Sequence, residues 1–243
     1  ESKAGRVRLS GQVSWLRNAD HYQLVRDTPK GENFHLSDVY TASVNAWTKW
    51  KLGRTALGAE VREEDIFSTN LGRVLDESQQ PHIAGTPDGR YTKRDGRTNV
   101  SYYLEHNVVW RGLTVSAGVM AQRNSALSTG FRFYPGVDVS YRPAKGWRLY
   151  ASFNRSLRLP SFTDLWYKSP TQEGNVGLRP EECSAYRIGA DFGNSWLSVK
   201  VKGQYARGTD MIDWVMLTPT DVYRSRNFSL DNYGAGIDAT IHF

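Results

Sequence analysis

Five histidines, one cysteine and a few paired acids are the residues of this chain whose types could do chemistry. A metal site needs His, Cys or carboxylate ligands at short, characteristic spacings. His21, His35, His82, His106 and His242 show no such spacing, and Cys183 has no second cysteine to join it. A hydrolase could use two carboxylates flanking a scissile bond. Glu63-Glu64-Asp65 and Glu181-Glu182 could supply them, but both runs sit where alternating segments give way to polar ones, the place of a solvated rim. GADFG at 189–193 runs into a turn with no helical pattern after it, so it lacks the helix N-terminus of a phosphate loop. Ser10, Ser14, Ser140 and Ser152 have no His and acid in a recognisable arrangement. These residues point to no metal, no cofactor and no enzyme.

The elements that carry them follow from hydrophobic periodicity. Residues 108–123, VVWRGLTVSAGVMAQR, hold apolar side chains at even positions before Arg111-Gly112 and at odd positions after it. A strand alternates its side chains between two faces. Across a two-residue hairpin loop the flanking residues point the same way, so one continuous apolar face requires that flip. The same arithmetic holds at Gly53-Arg54, where Tyr40, Ala42, Val44 and Ala46 give way to Leu57, Ala59 and Val61. It holds again at Asn194-Ser195, with a loop of two or four residues. At Ala144-Lys145-Gly146 a three-residue loop keeps the parity: Val137, Val139 and Tyr141 precede it, Trp147, Leu149 and Phe153 follow. The chain is expected to be all-β and antiparallel, with strands paired in sequence order.

About ten strands are predicted, near 6–17, 36–52, 55–68, 97–110, 113–123, 131–143, 147–158, 183–192, 196–206 and 233–243. Several exceed the usual length of about five or six residues and reach the roughly nine to eleven of a tilted membrane-crossing strand. Connections at 53–54, 111–112, 144–146 and 193–195 are short. Those at 18–35, 69–96, 124–130, 159–182 and 207–232 are mostly long and rich in Gly, Pro, Asp and Asn. Short turns at one end and long loops at the other describe an up-and-down transmembrane β-barrel of the outer membrane, with periplasmic turns. The mean hydropathy of −0.56 excludes membrane helices but not such a barrel, whose strands are only half apolar. The formal net charge of +6 is spread over cations that alternate with acids, which is not the pattern of a nucleic-acid groove.

Alternation fixes both faces together. Val115, Val119, Val137, Leu149, Phe153, Ile188, Val199 and Ile237 are expected to face lipid, and Arg132, Asp138, Arg148, Asn154, Arg187 and Lys200 the interior. A soluble sandwich would alternate as well. Trp50, Trp110, Trp147 and Trp196, each within three residues of a different short turn, favour a membrane girdle.

Residues 150–192, YASFNRSLRLPSFTDLWYKSPTQEGNVGLRPEECSAYRIGADF, resemble the TonB-dependent outer-membrane receptors. In that family a strand ends in Arg-x-Pro-Ser-Phe-x-Asp-Leu, a loop with Asn…Leu-x-Pro-Glu follows, and the next strand carries Tyr and Gly. The matching positions are Arg158, Pro160, Ser161, Phe162, Asp164 and Leu165, then Asn175, Leu178, Pro180 and Glu181, then Tyr186 and Gly189. The likeness is good from about residue 131 to 243 and upstream rests on strand pattern. It implies a barrel of about 22 strands closed by an N-terminal plug. Residues 1–243 are therefore expected to form part of one receptor barrel domain, without the plug domain and the C-terminal strands.

The resemblance also implies a function: active uptake of a scarce, bulky nutrient captured by extracellular loops. The implied partners are that ligand, the TonB complex acting through the plug, outer-membrane lipid and a surface lipoprotein; nucleic acid is not among them. Haem receptors of the family usually carry a His between the two motif words, and none lies between Pro160 and Asn175. The layout Pro-x-x-x-x-Leu-Trp-Tyr is closer to the cobalamin (vitamin B12) receptor branch, so cobalamin is slightly favoured over a siderophore. Trp166, Tyr167, Lys168, Arg179 and Tyr223 are the candidate ligand contacts. A passive outer-membrane pore or a surface β-adhesion module is the alternative function.

Overall fold

The computed structural model describes residues 7–127 and 130–242. The long strands are β1 (Arg8–Tyr22), β2 (Asn33–Trp50), β3 (Gly53–Ser68), β5 (Lys93–Trp110), β6 (Leu113–Asn124), β7 (Arg132–Tyr141), β8 (Trp147–Arg158), β10 (Glu181–Gly193), β11 (Leu197–Val215) and β12 (Tyr223–Ile241). Two-residue strands β4 (Arg73–Val74) and β9 (Gln172–Glu173) and the short helix α1 (Phe162–Trp166) lie in the long loops. The ends expected at residues 6 and 243, and part of the 124–130 loop, fall outside the described residues.

Each long strand pairs antiparallel with its neighbour in sequence, in one sheet. The exception to an all-antiparallel expectation is β9, which pairs in parallel with β12 through Tyr223↔Gln172 and Arg224↔Glu173. It is loop backbone laid against a strand, not a crossover unit. Among the described residues β1 pairs with β2 alone, so the sheet is open there. That excludes a self-closed ten-stranded barrel and fits a part of a larger one.

Register turns the alternation into rows. Val108, Val115, Val139, Ala151 and Ile188 pair successively along one row, and Ser116, Asp138, Ser152, Arg187 and Gln204 along the next. The other residues expected on each face keep the same parity. Among the described residues no second sheet covers the apolar rows: Ile188 is 67% exposed and Ile237 74%. A sandwich is thereby replaced by a single wall with one lipid-type face. Phe153, Tyr186, Tyr205 and Tyr233 continue that face as a ladder of rings, with centroids 4.9, 5.9 and 4.9 Å apart.

Several boundaries differ from expectation: β1 runs on to Tyr22, β2 starts at Asn33 and β5 at Lys93, each inside a stretch expected as loop, and two further differences change a turn or a loop. The β2–β3 turn is Lys51-Leu52, closed by the Trp50↔Gly53 pair, two residues earlier than the glycine implied. Parity is the same for either placement, so periodicity could not separate them. Second, β11 and β12 run through most of 207–232, leaving only 216–222 as loop. Asp210 takes a φ of 56° at a bulge between Gly208 and Met211, and the ladder resumes at Met211↔Phe228. Elsewhere the turns behave as read. Arg111 and Gly112 have φ of 44° and 83°, the positive pair of a tight hairpin, and Gly193↔Ser198 selects the four-residue loop.

Candidate functional site: the folded long-loop end

Burial concentrates at the long-loop end. Ile66, Leu71, Ile83, Tyr91, Tyr134 and Leu178 are the buried apolar side chains, and most belong to long loops or the strand ends beneath them. The 159–180 connection between β8 and β10 organises this region. Pro160 stiffens its entry. Ser161 then caps α1: its Oγ accepts from the Asp164 N–H at 3.0 Å, and the Asp164 carboxylate accepts from the Ser161 N–H at 3.0 Å. This reciprocal capping box satisfies backbone donors that a helix start leaves free. The helix ends after one turn because Tyr167 is extended.

Arg158 and Glu181 close the base of the loop. They are cross-strand partners, with Arg158 Nε donating to Glu181 Oε2 at 2.6 Å. Glu181 Oε1 also accepts from the Ile212 N–H at 2.7 Å. The guanidinium is the first cause, and the backbone donor a smaller one, of a Glu181 carboxyl held below the usual glutamate range despite burial. Asp164 adds a longer contact to Arg158, at 3.8 Å.

From that base the loop reaches strands on both sides. Toward β3 and β5, Arg97 pairs with Glu64, donates to the Pro160 carbonyl and lies 4.9 Å over the Phe162 ring. Trp166 Nε1 donates to Asp95. Toward β11 and β12, the Asp164 carbonyl accepts from Ser225 Oγ at 2.7 Å, and Trp214 Nε1 donates to Asp164 Oδ1 at 3.3 Å. Asn175 Nδ2 donates to the Ser225 carbonyl at 3.4 Å, and Leu178 is buried beside it in sequence at 6% exposure. The family-motif residues thus make a brace over the strand ends, not a catalytic cluster. Among the described residues there is no group of three or more His, Cys, Asp or Glu placed to hold a metal.

The candidate ligand contacts divide by surroundings. Trp166 is held by Asp95, and Tyr167 meets Trp214 edge-on with centroids 6.4 Å apart. Arg179 grips Asp210 through Nη2 at 2.6 Å, while its backbone exchanges two 2.9 Å bonds with the Asn227 side chain. Lys168 and Tyr223 flank β9 and stay open. The Lys168 side chain is 74% exposed and shares Glu173 with Arg224, at 3.5 and 3.1 Å. Of the bracing partners, Glu64 stood out in the sequence as part of the Glu63-Glu64-Asp65 run at a strand end, but Asp95, Arg97, Asp210, Trp214 and Ser225 did not, because each lies dozens of residues from its contact.

Comparison with known proteins places this architecture. The profile of the family described as "TonB dependent receptor-like, beta-barrel" matches residues 5–242. Comparison with the curated proteins finds no match. Among solved structures, the chain is similar to the ferric enterobactin receptor of Pseudomonas aeruginosa with a TM-score of 0.68 and 16% identity, covering 99% of this chain and 39% of that one. It is similar to the FrpB iron transporter of Neisseria meningitidis at 0.65 and 12%, covering 97% and 39%. The copper transporter OprC gives 0.68 and 13%, covering 100% and 41%. The chain spans about two fifths of these structures, and at such identities the likeness speaks to fold.

Proposed function

The chain belongs to the TonB-dependent receptor-like β-barrel family, and we propose that it forms part of the barrel wall of an outer-membrane transporter that takes up a scarce, bulky nutrient. The observation that carries this reading is the asymmetry of the two ends. One end has minimal turns, whereas the other supports a folded loop platform braced by Arg158, Glu181, Arg97 and Trp166. Rigidity of this kind lowers the ordering cost of ligand capture.

In this reading Lys168 and Tyr223 meet the ligand directly at the extracellular surface, while Trp166, Tyr167 and Arg179 hold the surface they stand on. TonB acts through a plug within the parent protein, and outer-membrane lipid surrounds the apolar rows. Cobalamin is supported by the Pro160…Leu165-Trp166-Tyr167 layout, and the absence of a histidine between Pro160 and Asn175 weighs against haem. A ferric siderophore is the second reading, supported by the receptors of that class among the similar structures. Calorimetric titration of the full-length receptor with cyanocobalamin and with ferric enterobactin tests both. Binding of either supports the transporter. Failure of both, together with open conductance in planar bilayers, would return the chain to the pore class.

A further inference from the structure

His35 and Ser68 stand opposite each other on β2 and β3, and Ser68 stands opposite Lys93 on β5, so the three share the interior side at the long-loop end. Ser68 is fully buried. Its Oγ accepts from the Asn70 N–H at 2.8 Å and from the Leu71 N–H at 2.7 Å, and lies 2.8 Å from His35 Nδ1. A hydroxyl has two lone pairs and one proton. Both lone pairs are taken, so the proton must go to the histidine, and Nδ1 must be the bare nitrogen that accepts it. His35 is thereby fixed as the neutral ring protonated at Nε2.

Ser68 in turn fixes Asn70, through the local side-chain-to-backbone bonding that serine favours at turns. The Asn70 carbonyl accepts from Lys93 Nζ at 2.9 Å, and the Asn70 Nδ2 donates to the Lys168 carbonyl at 3.1 Å. Asn70 is thus held by its own N–H and carbonyl, and with its side chain it holds a loop 98 residues further on. The wall reaches the backbone of Lys168 by this route, while the Lys168 side chain stays 74% exposed. The charged groups facing His35 are Asp20, opposite it on β1, and Lys93, one strand beyond Ser68. His21 and Glu32 pair with each other, and His21 stacks on Phe34, whose side chain lies on the other face of β2.

We propose that His35, Ser68 and Asn70 are positioning residues for Lys168: the neutral histidine orients the serine, the serine fixes the turn at 69–71, and Asn70 holds the Lys168 carbonyl. The proposal rests on the reading of Lys168 as a ligand contact, and it names what keeps that contact in place. A backbone held in advance lowers the ordering cost of capture. A histidine protonated on both nitrogens can no longer accept from Ser68. Asp20 then offers the charged ring a partner on the side away from Ser68. The relay therefore holds while His35 is neutral and fails as pH falls through the histidine range, near about 6.5.

The test places a nitroxide label at position 168 (Lys168→Cys, with Cys183→Ser) in the full-length receptor and reads its mobility by electron spin resonance between pH 8 and pH 5. The label should be restrained at pH 8 and loosen on acidification. His35→Leu removes the acceptor and should free the label at every pH. His35→Asn keeps a side-chain acceptor that does not titrate, so it should hold the label throughout, a control independent of whether the leucine variant folds. A label equally restrained in His35→Leu, or an acid response that persists in His35→Asn, overturns the proposal. Titration of the unlabelled receptor at pH 8 with cyanocobalamin and with ferric enterobactin separates the relay from the reading beneath it. His35→Leu should weaken binding severalfold. A label freed by His35→Leu with affinity unchanged would keep the relay and overturn Lys168 as a ligand contact.

Discussion

Arg158 and Glu181 stand opposite each other in the β8–β10 register, joined at 2.6 Å, and everything between them is the loop that braces the strand ends. Glu181 is buried at 7% exposure whereas the Arg158 side chain is half in water. Removing the arginine therefore strands a carboxylate that still accepts from the Ile212 N–H. Arg158→Ala should destabilise the loop end by about 1–2 kcal/mol, the low side of the range for an orphaned buried charge because the partner is solvent-screened. Limited proteolysis within 159–180 of the full-length receptor reads the effect. Unchanged cleavage would show that the pair does not close the loop.

The same pair sets an acid limit. The Glu181 pKa is lowered in the fold from its ordinary value of 4.5, so its contribution is fully present above that value and is lost as pH falls through the lowered one. Proteolytic protection of the loop should hold at neutral pH and weaken below about pH 4. Glu181→Gln should start weaker and respond less to acid. A loop equally protected in the native receptor at pH 3 and pH 7 would contradict this.

Trp166 and Lys168 are two residues apart but should behave differently. Trp166→Phe removes the bond to Asp95 and keeps the ring, which should cost about 1 kcal/mol of local stability and little affinity. Lys168→Ala with Tyr223→Ala removes exposed groups beside β9 and should weaken ligand binding by about 1–3 kcal/mol without loosening the loop. Titration of the full-length receptor separates the two. If both variants lose the same affinity, the platform and the contact surface are one.

Gly53 has a φ of 134°, and a Cβ there would come within 2.1 Å of the Asn107 carbonyl oxygen on β5. Backbone cannot swing aside as a side-chain tip can, so Gly53→Ala should destabilise the β2–β3–β5 corner by about 1–3 kcal/mol. A Cβ at Gly193 meets nothing within 4 Å, and Gly193→Ala should be close to neutral. Thermal unfolding of the full-length variants in detergent compares them directly; equal shifts would mean that Gly53 is not under constraint.

Inside the lipid band the sequence was almost transparent, because one-sided burial writes period two into every strand. Val115, Val139 and Ile188 could be placed on one face without coordinates. Above that band the signal stops. Arg207, Gly208, Thr209 and Asp210 are strand or bulge but read as loop, since both faces there meet polar surroundings and only the hydrogen-bond ladder remains. The brace was hidden for another reason. Arg158, Ser161, Asp164 and Glu181 were visible as a motif, but their service is to contacts with Asp95, Arg97, Trp214 and Ser225, and a linear pattern does not encode which distant strand end a loop will meet.

Ile188 and Ser152 test which face meets lipid. Ile188 pairs with Ala151 in the apolar row, and Ser152 pairs with Arg187 in the polar one, so they lie on adjacent strands one step apart in register. Ile188 is five residues from the Gly193 turn and two from the Tyr186 aromatic row, well inside the band. Arginine there must bring its guanidinium into hydrocarbon, which costs about 2–4 kcal/mol near the midplane of a barrel. At position 152 the same side chain enters the polar interior, beside Asp138 and Arg187, where water and a carboxylate meet it. Ile188→Arg in the full-length receptor should therefore lower folding stability in lipid vesicles by that amount, and Ser152→Arg by less than about 1 kcal/mol. Urea titration of the vesicle-folded receptor measures both. A larger loss for Ser152→Arg would reverse the two faces, and with them every row of the sheet, because a strand cannot exchange one side chain between faces without exchanging all of them.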